Sequence, residues 1–411
     1  MFTSRDIRGF YGSDITDDNL KILGTVINKK AKEIIIGMDY REHNNEILDA
    51  ILSTLGGKIY LGNVPTPVVP YLTKNFGIMI TASHNPPGYN GIKFFKPKRI
   101  LYANELHEIE EQYQKATNAP KKRDETPKAN LEIDQDQLKL YTTAIPEIAD
   151  GIFDLCGGAA CRFVDLFPES IFNKPDPKFE FHAPEPTNQT LDELKSQTMK
   201  AEKIGYAFDG DADRVVVIVK GQMIPGDILI AYIAANYLKE KERLILSFDC
   251  SQEVFNYIQD IGQQPFYASV GQNLLIAEAI KKKAGFIGEY SGHYSFTNFM
   301  LYSDPFYFIG KISETKPQEL LAFQANFHNI VLHEKVDERV DYSLLKQELE
   351  KLTDQFVLLD GIKAILPEEN ASILIRHSQS EPITRINVEA KNIRSAEEIF
   401  QKIKEIFSKI S

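Results

Sequence analysis

Cysteine is scarce: Cys156, Cys161 and Cys250 are the only three in 411 residues. They are too few and too scattered for a disulfide framework or a zinc site, and they fit a reducing compartment. An excess of base is missing too. The formal net charge of −11 argues against the basic face of a nucleic-acid binder, although an acidic protein still binds anions where its few cations converge. No apolar run approaches a membrane span. The opening MFTSRDIRGFYG is polar and lacks the apolar core of a signal peptide. A cytoplasmic protein without nucleic-acid or membrane partners is therefore expected. Low-complexity tracts and exact internal repeats are absent. What is present, 43% hydrophobic and 26% charged residues, is ordinary for a soluble globular chain with room for roughly two to four domains.

The chain is organised around Gly77 to Lys96, GIMITASHNPPGYNGIKFFK. Apolar runs at Gly77 to Thr81 and Ile92 to Phe95 read as strands. The loop between them holds Ser83, His84, Asn85, two prolines and two glycines. Proline stiffens such a loop, and glycine lets backbone approach a ligand closely. A hydroxyl there, beside a histidine and with Lys93 following, suits a nucleophile or phosphate carrier; a surface turn is the plain alternative.

Around this stretch, helical and strand patterns alternate. Asp17 to Lys32 has helical spacing, and EIIIGMD, Glu33 to Asp39, reads as a buried strand. Helices are expected at Leu106 to Lys115, Asp134 to Glu147, Leu191 to Lys203, Ile228 to Lys239, Glu253 to Ile261 and Leu274 to Lys283. Strands are expected at Ile204 to Phe208, Val215 to Val219, Leu244 to Phe248 and Phe286 to Gly288. This alternation predicts α/β layering. The charged stretch from Asn118 to Lys128 resembles a linker, but the helical run after it moves the first boundary to near Asp150. Gly151 to Asp165 is odd, with a short apolar run and then Gly157-Gly158-Ala159-Ala160, and little periodicity follows. From Val336 onward, helices at Ser343 to Leu352 and Ala396 to Ile406 bracket strands at Ala371 to Arg376 and Ile386 to Ala390, an α+β module. The expected domains are 1–149, 150–241, 242–335 and 336–411.

Four constellations carry chemistry. Arg5-Asp6-Ile7-Arg8-Gly9 suits an anion site, since arginine makes bidentate contacts with phosphate; a solvated turn is the alternative. Asp209-Gly210-Asp211-Ala212-Asp213-Arg214 places carboxylates at alternate positions of a tight loop, where they can converge on a hard cation such as Mg²⁺. An EF-hand would need Gly and Glu where Arg214 and Lys220 stand, and helices rather than strands on either side. In Gly288-Glu289-Tyr290-Ser291-Gly292-His293, Glu289 and Ser291 suit neighbouring sugar hydroxyls and His293 suits proton transfer; a polar turn fits as well. Arg376 to Arg385, with Ser378 and Ser380 between the arginines, makes a phosphate cradle or an ordinary proline turn.

Together, the Ser83 loop, the aspartate loop, the Glu289 loop and the Arg376 loop resemble the active site of the α-D-phosphohexomutases, in the family's order along the chain. Pro86-Pro87-Gly88-Tyr89-Asn90-Gly91 looks most like the phosphomannomutase/phosphoglucomutase branch. The resemblance implies an α/β fold of four domains around a central cleft, three of them related α/β units and the last a small α+β domain. It implies that Ser83 carries a phosphoryl group, with Mg²⁺ held by that phosphate and by Asp209, Asp211 and Asp213. Lys93, His84, Arg8 and Arg214 would neutralise charge and handle the proton, His293 would join in proton transfer, Glu289 and Ser291 would hold sugar hydroxyls, and Arg376, Ser378, Ser380 and Arg385 would hold the resting phosphate. The reaction implied is interconversion of hexose 1-phosphate and hexose 6-phosphate through a hexose 1,6-bisphosphate, which also serves as activator, in a monomer or homodimer.

Departures from the family pattern are Gln379 and Ser380 in the phosphate loop, Gln272 after Val270-Gly271, the lack of a lysine near Asp249, and a short second unit. They leave two alternatives beside a mannose or glucose phosphate mutase: a phosphoglucosamine mutase, and a non-catalytic sugar-phosphate binding protein. No motif residue is assigned to carbon 2, where glucose and mannose differ, so both are expected to react within about a hundredfold. Glucosamine phosphate is expected to be slower, because these loops offer its ammonium no carboxylate.

Overall fold

Ile34–Met38, IIIGM, carries no polar side chain and forms a strand buried along its whole length. Strands that read as continuous apolar runs are those covered on both faces, as in parallel sheets. The computed structural model describes residues 1–3, 5–31, 33–56, 58–118, 134–148, 150–337, 339–377 and 383–410. The linker-like stretch therefore falls almost wholly outside the described residues, as do Ser378 and Ser380. The chain divides into two units, residues 1–224 with 291–318, and residues 225–290 with 319–411.

In the first unit, Ile34–Met38 pairs in parallel with Phe76–Ile80 and Lys58–Asn63. Tyr89–Lys96 returns antiparallel to Phe76–Ile80, and Ile7–Phe10 pairs antiparallel with it at the edge. Helix Asp17–Lys30 is capped by Thr16, whose side chain accepts from the Asn19 N–H, and it buries Leu20, Leu23 and Ile27. Its acidic first turn and basic last turn complement the helix dipole. A second sheet runs Gln222–Ile224, Val215–Val219, Ile204–Phe208, Ile152–Asp154, Ser170–Ile171. Its Ile204–Phe208 and Val215–Val219 form an antiparallel hairpin with the aspartate loop at its tip.

The helix expected to run to Glu147 stops at Thr142. Pro146 lies just beyond and restricts the residue before it to extended backbone. Tyr141 on that helix donates its hydroxyl to both carboxylate oxygens of Asp304, at 3.0 Å each, and Asp304 caps helix Pro305–Ile312. Burial pushes the Asp304 carboxyl up to about 6, against donors that favour its charge. A carboxyl whose folded value lies above its unfolded one loses stabilisation as pH rises between the two, and the deficit is complete above the folded value. Asn caps as well as Asp. Asp304→Asn should therefore stabilise the fold above pH 6 by up to about 3 kcal/mol and change it little below pH 4. Denaturant melts at the two pH values check this; an equal effect at both would refute it.

In the second unit, Arg243–Ser247 pairs in parallel with Gln264–Ala268 and Phe286–Gly288, and helices Gly226–Asn236, Gln252–Asp260 and Gln272–Lys282 accompany them. The C-terminal part is an antiparallel sheet ordered Ile330–Val336, Thr384–Ala390, Ala371–His377, Ile362–Leu366, Gln355–Leu358. Helix Ile393–Ile410 buries Ala396, Ile399, Ile403, Ile406 and Phe407 in the cluster that includes this sheet's apolar residues. The fold class read from the sequence, α/β units followed by an α+β module, is the one observed. No described helix is long and apolar enough to cross a membrane.

Candidate active site

Ser83 follows the carboxyl end of Phe76–Ile80, the end of a strand where open α/β sheets place their ligands. Its backbone is left-handed, with φ +54°, a conformation that costs a non-glycine residue of the order of 1 kcal/mol or more and persists only where surroundings enforce it. Here they do. The Ser83 N–H donates to Thr81 Oγ1 at 2.8 Å, and Thr81 in turn donates to Asp39 Oδ2 at 2.6 Å. On the other side, Arg41 donates to the carbonyls of Ser83 and Asn85 at 2.6 Å each, Pro86 at 3.0 Å and Tyr89 at 3.2 Å. Asp39 accepts from the Arg41 N–H at 3.0 Å, and both side chains are buried. One guanidinium thus fixes the loop by four carbonyls.

The Ser83 hydroxyl lies 3.3 Å from Asp209 Oδ2 and 3.3 Å from His84 Nδ1. The charge of Arg214, burial, and the charges of Arg8 and Lys93 push His84 down to about 2, so its imidazole is neutral at physiological pH. Asp209, Asp211 and Asp213 are buried, and one carboxylate oxygen of each lies within 4.8 Å of the others. Lys93 Nζ donates to Asp211 Oδ2 at 2.7 Å and Asp213 Oδ2 at 2.8 Å. Burial opposes the ammonium, yet the two carboxylates lift Lys93 to about 12. Burial opposes the Asp213 charge as well, but Lys93 and His293 hold that carboxyl well below the usual range. Asp209 goes the other way, pushed up by burial and by its two neighbours.

This donor set fits a hard divalent cation. It is all oxygen and offers three carboxylates, and Asp211 Oδ1 is buried without a hydrogen-bond partner. Nearby, His293 Nε2 lies 3.1 Å from Asp213 Oδ1, Ser291 Oγ lies 3.2 Å from His293 Nδ1, and Arg214 Nε lies 3.4 Å from His293 Nε2. Gly292, at φ +96°, allows this approach: a Cβ there would meet the Val215 carbonyl at 2.5 Å. Arg8 pairs with Asp6 at 2.8 Å and is close enough for Asp211 and Asp213 to act on its charge. Thr66 and Tyr302 complete the surroundings, donating to Asp211 Oδ2 and Asp213 Oδ2.

The odd stretch after Gly151 supports the aspartate loop. The Ala159 N–H donates to the Gly210 carbonyl at 2.9 Å, and the Gly210 N–H donates to the Pro184 carbonyl at 3.0 Å. His182 Nε2 lies 3.1 Å from Asp154 Oδ1, joining the two supporting segments. Gly158 is required, because a Cβ there would lie 2.5 Å from the Gly210 carbonyl.

The second unit holds the remaining described candidates. Arg376 and Arg385 face each other across adjacent strands and line a cavity of about 390 Å³ with Asp249, Tyr290, Glu334, Lys335 and Asn387. Arg376 donates to Asp360 at 3.2 Å. Glu289 is buried at the end of Phe286–Gly288. The first unit thus brings together Ser83, His84, Lys93, Arg8, Arg214, Ser291, His293 and the three aspartates; the second carries Glu289, Arg376 and Arg385. Sequence reasoning passed over Asp39, Arg41, Thr66, Tyr302 and Asp249. The available signal was position: Asp39 and Arg41 close a buried strand at its carboxyl end.

The first unit thus sets a serine loop at the end of one mixed α/β sheet against three buried aspartates at the tip of a hairpin in another. Three models described as phosphoglucomutase/phosphomannomutase alpha/beta/alpha domains match in order: domain I over residues 1–120, domain II over 133–222 and domain III over 225–315. A phosphoglucosamine mutase of Methanocaldococcus jannaschii is 31% identical, with 92% of each chain covered. A phosphomannomutase of the same organism is 28% identical over 100% of this chain and 98% of its own. A phosphoglucomutase/phosphomannomutase family protein of Burkholderia thailandensis superposes with a TM-score of 0.83 at 22% identity, covering 100% of this chain and 98% of its own. The chain belongs to the phosphoglucomutase/phosphomannomutase family, the α-D-phosphohexomutases.

Proposed function

We propose that this protein interconverts hexose 1-phosphates and hexose 6-phosphates by way of a phosphoserine at Ser83. The observation that carries the reading is the Ser83 hydroxyl, held by its own backbone 3.3 Å from a buried three-aspartate site. The Ser83 Oγ–P bond breaks as a bond forms from phosphorus to the free sugar hydroxyl, whose proton passes to a neighbouring base; His84, neutral, and His293 are the candidates. The resulting hexose 1,6-bisphosphate turns over, and Ser83 recovers a phosphoryl group from the opposite carbon. Lys93, Arg8 and Arg214 neutralise the transferring group. Glu289 and Ser291 hold sugar hydroxyls, and the cavity of Arg376 and Arg385 takes the phosphate at rest, so one cradle serves both half-reactions. Asp209, Asp211 and Asp213 would hold Mg²⁺, which supplies charge stabilisation on the phosphoryl oxygens. Ser378 and Ser380, outside the described residues, belong to the same cradle in this reading.

A coupled assay of glucose, mannose and glucosamine 1-phosphates, with Mg²⁺ and bisphosphate activator, tests the reading. Absence of turnover on all three would favour a non-catalytic sugar-phosphate binder. The Arg41 clamp makes a second test. Lysine keeps the charge opposite Asp39 but cannot reach four carbonyls. Because misplacement by about 1 Å costs roughly a hundredfold in rate, Arg41→Lys should lower kcat by about that factor with KM little changed and the fold retained by circular dichroism. Unchanged kcat would mean that the clamp does not position Ser83.

A further inference from the structure

A phosphate cradle has no evident use for a carboxylate, yet two, those of Glu334 and Asp249, line the cavity that holds Arg376 and Arg385, and Asp249 is the one held by a neighbouring hydroxyl. It is fixed there. Ser247 Oγ donates to Asp249 Oδ1 at 2.5 Å and accepts the Tyr290 N–H at 3.0 Å, so one hydroxyl ties the carboxylate to the loop that carries Glu289. Among the described residues Asp249 makes no ion pair: burial pushes its carboxyl up, the Ser247 hydroxyl and the charge of Arg376 work against that, and the charge of Glu289 adds to it, so a cation brought by the ligand would supply the partner that this carboxylate lacks. Beside a bound dianion, such a group repels the ligand unless the ligand brings a cation of its own.

A 2-amino-2-deoxyhexose 1-phosphate does. Its protonated amine stands on carbon 2, next to the carbon bearing the phosphate. Guanidinium groups for the phosphate and a carboxylate held beside them complement that pair of charges, and a charge withdrawn from water without its partner is disfavoured. Resting on the mutase reading above, we infer that Asp249 is the residue that reads carbon 2, accepting the ammonium of a glucosamine 1-phosphate and disfavouring sugars that carry a neutral hydroxyl there. The expectation that glucosamine phosphate reacts slowly is thereby reversed. It rested on the lack of a carboxylate in the motif loops, and Asp249 lies in none of them. The lysine that the family pattern leads one to expect near this position would repel the same ammonium.

The test is a ratio. On the wild-type protein, kcat/KM for glucosamine 1-phosphate should exceed that for glucose 1-phosphate by tenfold or more. N-acetylglucosamine 1-phosphate, whose amide is neutral, should lose that advantage. Asp249→Asn should lower the glucosamine-to-glucose ratio at least tenfold, through slower glucosamine turnover and faster glucose turnover as repulsion is relieved. Because both sugars are measured on one preparation, the ratio does not depend on how much of the variant folds. A wild-type preference for glucose, or an unchanged ratio in Asp249→Asn, overturns the assignment while leaving the mutase reading intact. If no sugar is turned over, calorimetric affinities for the same three 1-phosphates take the place of kcat/KM: a glucosamine preference lost in Asp249→Asn keeps Asp249 in this role although the mutase reading falls, and its absence removes both.

Discussion

Freshly isolated protein should contain a fraction heavier by one phosphoryl group, mapping to Ser83, and Ser83→Ala should lose turnover by roughly ten-thousandfold or more even with hexose 1,6-bisphosphate supplied. The size of the effect follows from the covalent role. Without an acceptor at that point the phosphoryl group has no protein atom to rest on between its two positions on the sugar, and the surrounding positive charge cannot substitute for a missing bond. The fold should survive, because the backbone of Ser83, rather than its side chain, makes the contacts to Thr81 and Arg41. Ser83→Ala at wild-type activity would remove the phosphoserine from the mechanism. Peptide mass mapping separates Ser83 from the other hydroxyls of the loop region, Thr81 and Tyr89. Thr81 is committed to the Asp39 carboxylate, and Tyr89 packs its ring on Phe10 with centroids 4.2 Å apart.

The legible parts of this molecule are those whose partners lie close in sequence. The aspartate loop is six consecutive residues between two apolar runs, and those runs are the hairpin strands Ile204–Phe208 and Val215–Val219; the same strands exclude an EF-hand. The helices at Asp17–Lys30 and Ile393–Ile410 follow directly from apolar spacing. Ile7–Phe10 did not look like a strand, because four residues that include Arg8 and Gly9 carry no alternation of their own; they are extended by pairing with Tyr89–Lys96. Arg41 was hidden for the same reason in a stronger form. Its four acceptors lie between Ser83 and Tyr89, more than forty positions away, and nothing local distinguishes it from a surface arginine. The stretch after Gly151 lacks periodicity because its elements are short, the strands Ile152–Asp154 and Ser170–Ile171 and a 3-10 helix at Ala159–Leu166: its work is to brace Gly210 from two sides. Asp249 shows a further limit. A motif directs attention to its own residues, and this carboxylate, in the lining of the cavity of Arg376 and Arg385, sits outside every motif loop.

Asp209→Asn should uncouple stability from function. In the metal-free protein, burial and the charges of Asp211 and Asp213 all disfavour an ionised Asp209. Asparagine keeps an oxygen to accept the Asp213 and Arg214 N–H groups, which Asp209 Oδ1 now receives at 3.1 and 3.2 Å. The metal-free variant should therefore be no less stable than wild type. With Mg²⁺ the order reverses. A ligand at a hundred times its Kd stabilises the folded state by about 2.7 kcal/mol, a rise of a few degrees in Tm for a chain of this size. Wild type should show that rise, and the variant should lose most of it together with about a thousandfold in turnover, since the metal counters charge that develops during phosphoryl transfer. Thermal melts with and without Mg²⁺, alongside rates, check both arms. An acidic cluster with no metal role predicts no Mg²⁺-dependent rise in either protein. Full wild-type activity after exhaustive chelation would likewise exclude Asp209, Asp211 and Asp213 as the seat of a required metal.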